Sequence, residues 1–137
     1  MGDDILNGGS GNDVLDGAVD STGKDQFVGG TGDDVYGVYN SATEGIDAIN
    51  DFGNGDDQLR IYSNGFGGAG GVGAAGLLAS ARFTIGTAAT NIDQRFIYDN
   101  AFGDLFFDLD GSADGTQIKI AQLLTKPTLA NNSFLIV

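Results

Sequence analysis

The first 60 residues carry twelve aspartates and one glutamate, many of them closely preceded by glycine. Carboxylates and glycine carbonyls are hard oxygen donors, the kind that Ca²⁺ binds at about 2.3–2.6 Å. Their spacing is regular. Residues 8 to 16 read GGSGNDVLD and residues 29 to 37 read GGTGDDVYG; both fit G-G-x-G-x-D-x-U-x, with U a large apolar residue. Residues 2 to 7, GDDILN, and 23 to 28, GKDQFV, read as the ends of two more copies, the second preceded by a loop from Gly17 to Thr22. The U positions are Leu6, Leu15, Phe27 and Tyr36, spaced by 9, 12 and 9. A three-residue loop insertion explains the 12, and such an extension costs little closure entropy.

Each part of the nonapeptide has a physical task. Glycine permits the strained backbone that lets a turn close tightly and aim carbonyl oxygens inward. Aspartate adds a carboxylate. The following x-U-x is a short strand whose middle side chain points to the core. Two nonapeptides then make one coil of two strands and two turns, and turns on the same side stack with a metal between them. On this reading the turn of Asp13 stacks on that of Asp34, and the turn of Asp4 on that of Asp25. Gly8, Gly9, Gly11, Gly29, Gly30 and Gly32 supply carbonyls, or the turn shape that exposes them.

The stretch 2 to 37 resembles the RTX (repeats-in-toxin), or haemolysin-type, calcium-binding repeat. The segment Gly45 to Ile61, GIDAINDFGNGDDQLRI, is similar to the one that closes such arrays in that family. The resemblance implies Asp47 and Asp57 as ligands of a last ion. Asp51 and Asp56 stand second to them, and a turn cap is the other reading of Asp51. For the fold, the resemblance implies an all-β chain, a parallel β-roll at residues 1–61 capped by a carboxy-terminal β-rich region.

The charge supports a need for cations. The net charge is −13, and residues 1 to 60 hold 13 acids against only Lys24 and Arg60. Such a segment repels itself unless cations bind it. It is also a poor surface for nucleic acid or anionic lipid. The chain has no cysteine and no histidine, which excludes disulfides, the common zinc ligands and Ser-His-Asp or Cys-His catalysis. Paired carboxylates such as Asp56 and Asp57 suit a glycosidase in principle. Ligand duty is the preferred reading, and no enzymatic activity is expected within the chain. No apolar run reaches the length needed to span a bilayer, and no Sec-type leader is visible. The opening Gly2-Asp3-Asp4 reads as the tail of a repeat, so the chain is expected to be a piece of something longer.

Beyond residue 61 the character changes. Residues 62–80 include GFGGAGGVGAAG, expected as a glycine-rich loop; two overlapping G-x-G-x-x-G matches there lack the βαβ context of a dinucleotide site. Within 81–137, Phe83 to Ile85, Arg95 to Tyr98, Leu105 to Phe107, Ile118 to Ile120 and Phe134 to Val137 read as short strands separated by Asn, Asp and Gly turns. The run Asp108-Leu-Asp110-Gly111 fails as an EF-hand, with Ala113 where glycine is required and Lys119 where glutamate is required, so a hairpin turn is expected. This region is similar to the carboxy-terminal part of secreted RTX proteins, whose uncleaved end is the type I secretion signal. The closing Asn132 to Val137 is similar to such a signal.

The functional expectation is a calcium-driven folding module at the carboxy terminus of a secreted protein, with calcium ions and the type I machinery as partners. Extracellular modules bind calcium at ~10⁻⁴–10⁻³ M, so the chain stays unfolded inside the cell and folds outside. The alternative is a calcium-stiffened structural or adhesive module of a surface layer, which self-assembly upon calcium addition would reveal.

Overall fold

The computed structural model describes residues 2–17, 23–40 and 45–137. Of the loop expected at Gly17 to Thr22, residues 18–22 lie outside the described residues.

The glycine-rich segment folds into short strands that pair in parallel. Strands β1 (Ile5–Ser10) and β2 (Val14–Leu15) form the first coil, β3 (Gln26–Thr31) and β4 (Val35–Val38) the second, and β5 (Asp47–Ile49) and β6 (Gln58–Ile61) the third. β1, β3 and β5 pair in parallel, as do β2, β4 and β6. The register places Leu6 opposite Phe27 and Phe27 opposite Ile49 in one file. Leu15, Tyr36 and Leu59 make the other file. Of the U positions, Leu15, Phe27 and Tyr36 are buried and Leu6 is partly buried, and Ile49 and Leu59 continue the two files at or below 1% exposure. Burying side chains of this size contributes about 1.5–3 kcal/mol each.

The carboxy-terminal residues extend these same sheets. β11 (Ile118–Leu123) lies parallel to β5, and β12 (Phe134–Ile136) lies parallel to β6. β10 (Asp104–Phe107) returns antiparallel against both β11 and β9 (Phe96–Asp99); β9 lies parallel to β8 (Phe83–Ile85). β7 (Gly76–Leu77) pairs antiparallel with β12. The result is a seven-stranded sheet, β1-β3-β5-β11-β10-β9-β8, facing a five-stranded one, β2-β4-β6-β12-β7.

The expected fold class therefore needs correction. The chain is not a simple all-β parallel β-roll with a cap. Both sheets are mixed, with parallel and antiparallel pairs, and short helices lie between the strands. The physical reason is connection length. The four-residue β9-β10 link permits only antiparallel return, whereas β11 and β12 lie parallel to β5 and β6, strands separated from them by long stretches of chain.

Within the stretch expected as a glycine-rich loop, Ser63–Phe66 form a 3-10 turn and Gly68–Val72 form helix α1. Phe66 and Val72 are buried and anchor it. Gly71 lies so close beneath the Phe66 carbonyl that a Cβ there would collide with it. Arg82 donates to the Gly71 carbonyl at 2.5 Å, satisfying an acceptor near the helix end. Beyond α1 the core is aromatic: Phe66 meets Phe107 edge-on at 4.9 Å, and Phe96 lies 5.2 Å from Phe134 and 5.3 Å from Phe107.

Candidate metal centre

Turns joining successive strands stack in two columns. Asp4, Asp25 and Asp47 fall in the first; Asp13, Asp34 and Asp57 fall in the second. In both columns a carboxylate reaches back one coil. Asp4 N–H donates to Asp25 Oδ1 at 3.0 Å, and Asp25 N–H to Asp47 Oδ1 at 2.9 Å. Asp13 N–H donates to Asp34 Oδ1 at 2.9 Å, and Asp34 N–H to Asp57 Oδ1 at 2.9 Å. The structure thus brings together the pairs Asp13 with Asp34 and Asp4 with Asp25.

Neighbouring positions form a second ladder running the other way. Asp3 Oδ1 accepts from Lys24 N–H at 2.9 Å, Asn12 Oδ1 from Asp33 N–H at 3.0 Å, and Asp33 Oδ1 from Asp56 N–H at 3.0 Å. Sequence reasoning missed Asn12 and Asp33, although their 21-residue offset was visible beside that of the paired aspartates.

The second column has the chemistry of a cation site. Asp34 and Asp57 are 1% and 7% exposed. Asp13 Oδ2 and Asp34 Oδ2 are buried without a hydrogen-bond partner; among the described residues of 2–61 no other carboxylate oxygen is so placed. A buried acceptor left unsatisfied costs about 1–3 kcal/mol, more when charged. The glycines leave the space. A Cβ on Gly8 would stand 2.6 Å from Asp13 Oδ2 and 2.8 Å from the Gly29 carbonyl oxygen, and one on Gly29 would collide with Asp34 Oδ2. Gly9, Gly30 and Gly53 share φ near +100° (98°, 98° and 101°), and Gly11 and Gly32 have φ of 109° and 128°. These are backbone conformations that favour glycine. Gly8 and Gly29 therefore clear room for the carboxylates, while Gly9, Gly11, Gly30 and Gly32 shape the turns.

Asp51 serves as a cap. Its Oδ1 accepts from Gly29 N–H at 3.0 Å and from the Tyr36 hydroxyl at 3.1 Å, and its Oδ2 accepts from Gly30 N–H at 2.8 Å. Asp57 Oδ2 accepts from Gly53 N–H at 2.8 Å. Burial, then the charges of Asp51 and Asp57, push the Tyr36 phenol well above its ordinary range, so it stays a neutral donor. Asp56 is exposed at the tip of the third turn.

Among the described residues, no group of three or more acidic side chains converges to hold an ion by carboxylates alone. An ion here needs backbone carbonyls as well. The donors present, Asp13 Oδ2, Asp34 Oδ2 and the neighbouring Gly29 carbonyl, are all oxygen, which suits Ca²⁺ rather than Zn²⁺.

A further cluster went unnoticed in the sequence. Asp16 Oδ1 accepts from the Tyr39 hydroxyl at 2.6 Å, and its Oδ2 accepts from the Tyr62 hydroxyl. The two rings stack with centroids 4.6 Å apart, tying all three coils together. Burial and the bond to Asp16 push the Tyr39 phenol upward. The available signal was the 23-residue recurrence Asp16, Tyr39, Tyr62. In the turn after β10, burial and the neighbouring Asp110 raise the Asp108 carboxyl above the usual carboxylate range. Asp110 Oδ2 accepts from Gly115 N–H at 2.9 Å, the arrangement of a turn.

No helix among the described residues is long and apolar enough to cross a membrane. No protein-family model, curated protein or solved structure matches the chain.

Proposed function

We propose that the chain is a calcium-binding module of the RTX type, folded by extracellular Ca²⁺ and carried at the carboxy-terminal end of a type I-secreted bacterial protein. The observation that carries this reading is the pair of buried, unpartnered carboxylate oxygens, Asp13 Oδ2 and Asp34 Oδ2, set between stacked glycine turns. Asp13 and Asp34 would hold the ion with carbonyls of the glycine turns, Gly29 first among them. Bound Ca²⁺ supplies positive charge where 13 acids face two bases in residues 1 to 60. Its binding energy becomes folding energy, because the stacked turns exist only in the folded chain. The first column, with Asp4, Asp25 and Asp47, supports the stack through its ladder of hydrogen bonds.

Titrating calcium while following circular dichroism tests this. Asp13→Ala combined with Asp34→Ala is expected to raise the calcium midpoint at least about tenfold, the loss of about 1.4 kcal/mol per bound ion. An unchanged midpoint contradicts the proposal. For the export part, fusing the chain to the carboxy end of a passenger protein is expected to carry that passenger out through a type I system, and a passenger retained in the cell contradicts it.

A further inference from the structure

The third turn of the second column ends on open space. A groove of about 830 Å³ separates it from the segment leading into β12. Its two walls are already tied: the Thr125 hydroxyl donates to the Phe52 carbonyl at 2.7 Å, and Gln58 Nε2 reaches the Asn132 carbonyl at 3.4 Å. The volume falls within the roughly 300–1,000 Å³ of small-molecule sites.

The lining defines the ligand class. Asn54, Asp56, Gln58, Thr128, Asn132 and Ser133 present amides, hydroxyls and a carboxylate; Asp57 lines the groove too, but it is buried and its two oxygens already accept from Asp34 and Gly53 N–H. No basic side chain lines the groove; Lys126, between Thr125 and Pro127, is outside the lining. Anions therefore have no counter-charge here. Leu77, which is 58% exposed, and Pro127 add a small apolar patch.

Asp56 is the end of a ladder. Asp3, Asn12 and Asp33 each accept a backbone N–H from the coil that follows, and Asp33 accepts that of Asp56 itself. Past Asp56 the next layer is the segment from β11 to β12 across the groove, so its exposed carboxylate faces the open space between them as an acceptor held by the turn below it. A peptide strand is a poor occupant, because the edge of β5 is taken by β11 and that of β6 by β12. What remains is a compact ligand rich in neutral donors with one apolar face.

We infer that this groove binds a neutral oligosaccharide, with sugar hydroxyls donating to Asp56, the amides of Asn54 and Asn132 alongside, and a sugar face on Leu77 and Pro127. This site is separate from the proposed ion, and its test uses the full chain in saturating calcium with folding verified by circular dichroism. Amide spectra would be recorded while adding, in turn, maltotriose, cellotriose, chitotriose, spermidine and inorganic phosphate. At least one trisaccharide is expected to shift the amides of Gly53 to Gln58 and of Thr128 to Ser133 saturably. Asp56→Ala and Thr128→Ala, both at exposed positions, should each weaken that binding, Asp56→Ala by about tenfold. The inference is overturned if no trisaccharide shifts these amides, if spermidine or phosphate alone does so, or if both variants bind the sugar as the parent does.

Discussion

The stacked coils of residues 2–61 and the hairpins of residues 83–123 share a sheet and yet are held by different forces. In the coils, aspartate side chains accept backbone N–H groups of adjoining coils, and acids far outnumber bases. In the hairpins, Asp104 pairs with Lys119 at 2.6 Å, and Phe96 packs ring against ring on Phe107 and on Phe134 of β12. The coils set buried carboxylate oxygens without partners between their turns, whereas the hairpins rest on ring packing and one ion pair, although they too hold six acids against Arg95 and Lys119. The seven-stranded sheet runs through both, with β11 on the edge of β5.

The largest effect that separates the halves is calcium removal. Chelation is expected to cut hydrogen-exchange protection of Val28, Tyr36 and Val38 by more than about a hundredfold, about 2.7 kcal/mol, while Ile97 and Phe106 lose much less. Equal loss in both halves would erase the distinction. The converse break is Phe96→Ala, expected to cost about 3–5 kcal/mol in denaturant titration at every calcium concentration, since it leaves a cavity rather than an unpaired charge. A penalty that vanished at high calcium would show the aromatic cluster to be calcium-dependent too.

Smaller effects sharpen the picture. Asp16→Asn replaces a charged acceptor of two tyrosine hydroxyls with a neutral amide and is expected to cost about 1–2 kcal/mol, read by thermal unfolding in calcium. The smallest concerns Asp108, whose carboxyl is raised by burial and by Asp110. The unfolded chain releases this proton first as pH rises. Stability is therefore full below the unfolded carboxylate range and falls as pH climbs through the raised folded value. Asp108→Asn keeps an acceptor for the Asp110 N–H and removes the charge. It should be more stable than the parent at neutral pH, with the gap closing in acid.

Much of the first half was legible because its signal is local and repeated. Glycine and aspartate at fixed offsets specify the turn, and Leu15, Phe27 and Tyr36 at the U positions specify which way each strand faces. The short strands near Phe83, Phe96, Leu105, Ile118 and Phe134 were legible from the same alternation. What could not be read was their pairing. Nothing in Ile118–Leu123 states that it lies parallel to β5, because that choice depends on the free edge of a strand some seventy residues away. This is why mixed sheets replaced the expected fold class. Within the candidate site, the paired aspartates were visible, whereas Asp51 was divided between ligand and cap until Gly29, Gly30 and Tyr36 were seen donating to it. Helix α1 escaped notice because buried Phe66 and Val72 overrode the low helix propensity of glycine.

The most direct test is long-wavelength anomalous diffraction from a crystal grown in abundant calcium. A calcium peak at about 2.3–2.6 Å from Asp13 Oδ2 or Asp34 Oδ2, with glycine carbonyls completing the shell, is the predicted result. Both oxygens hydrogen-bonded to water, with no anomalous peak between the turns, would contradict it.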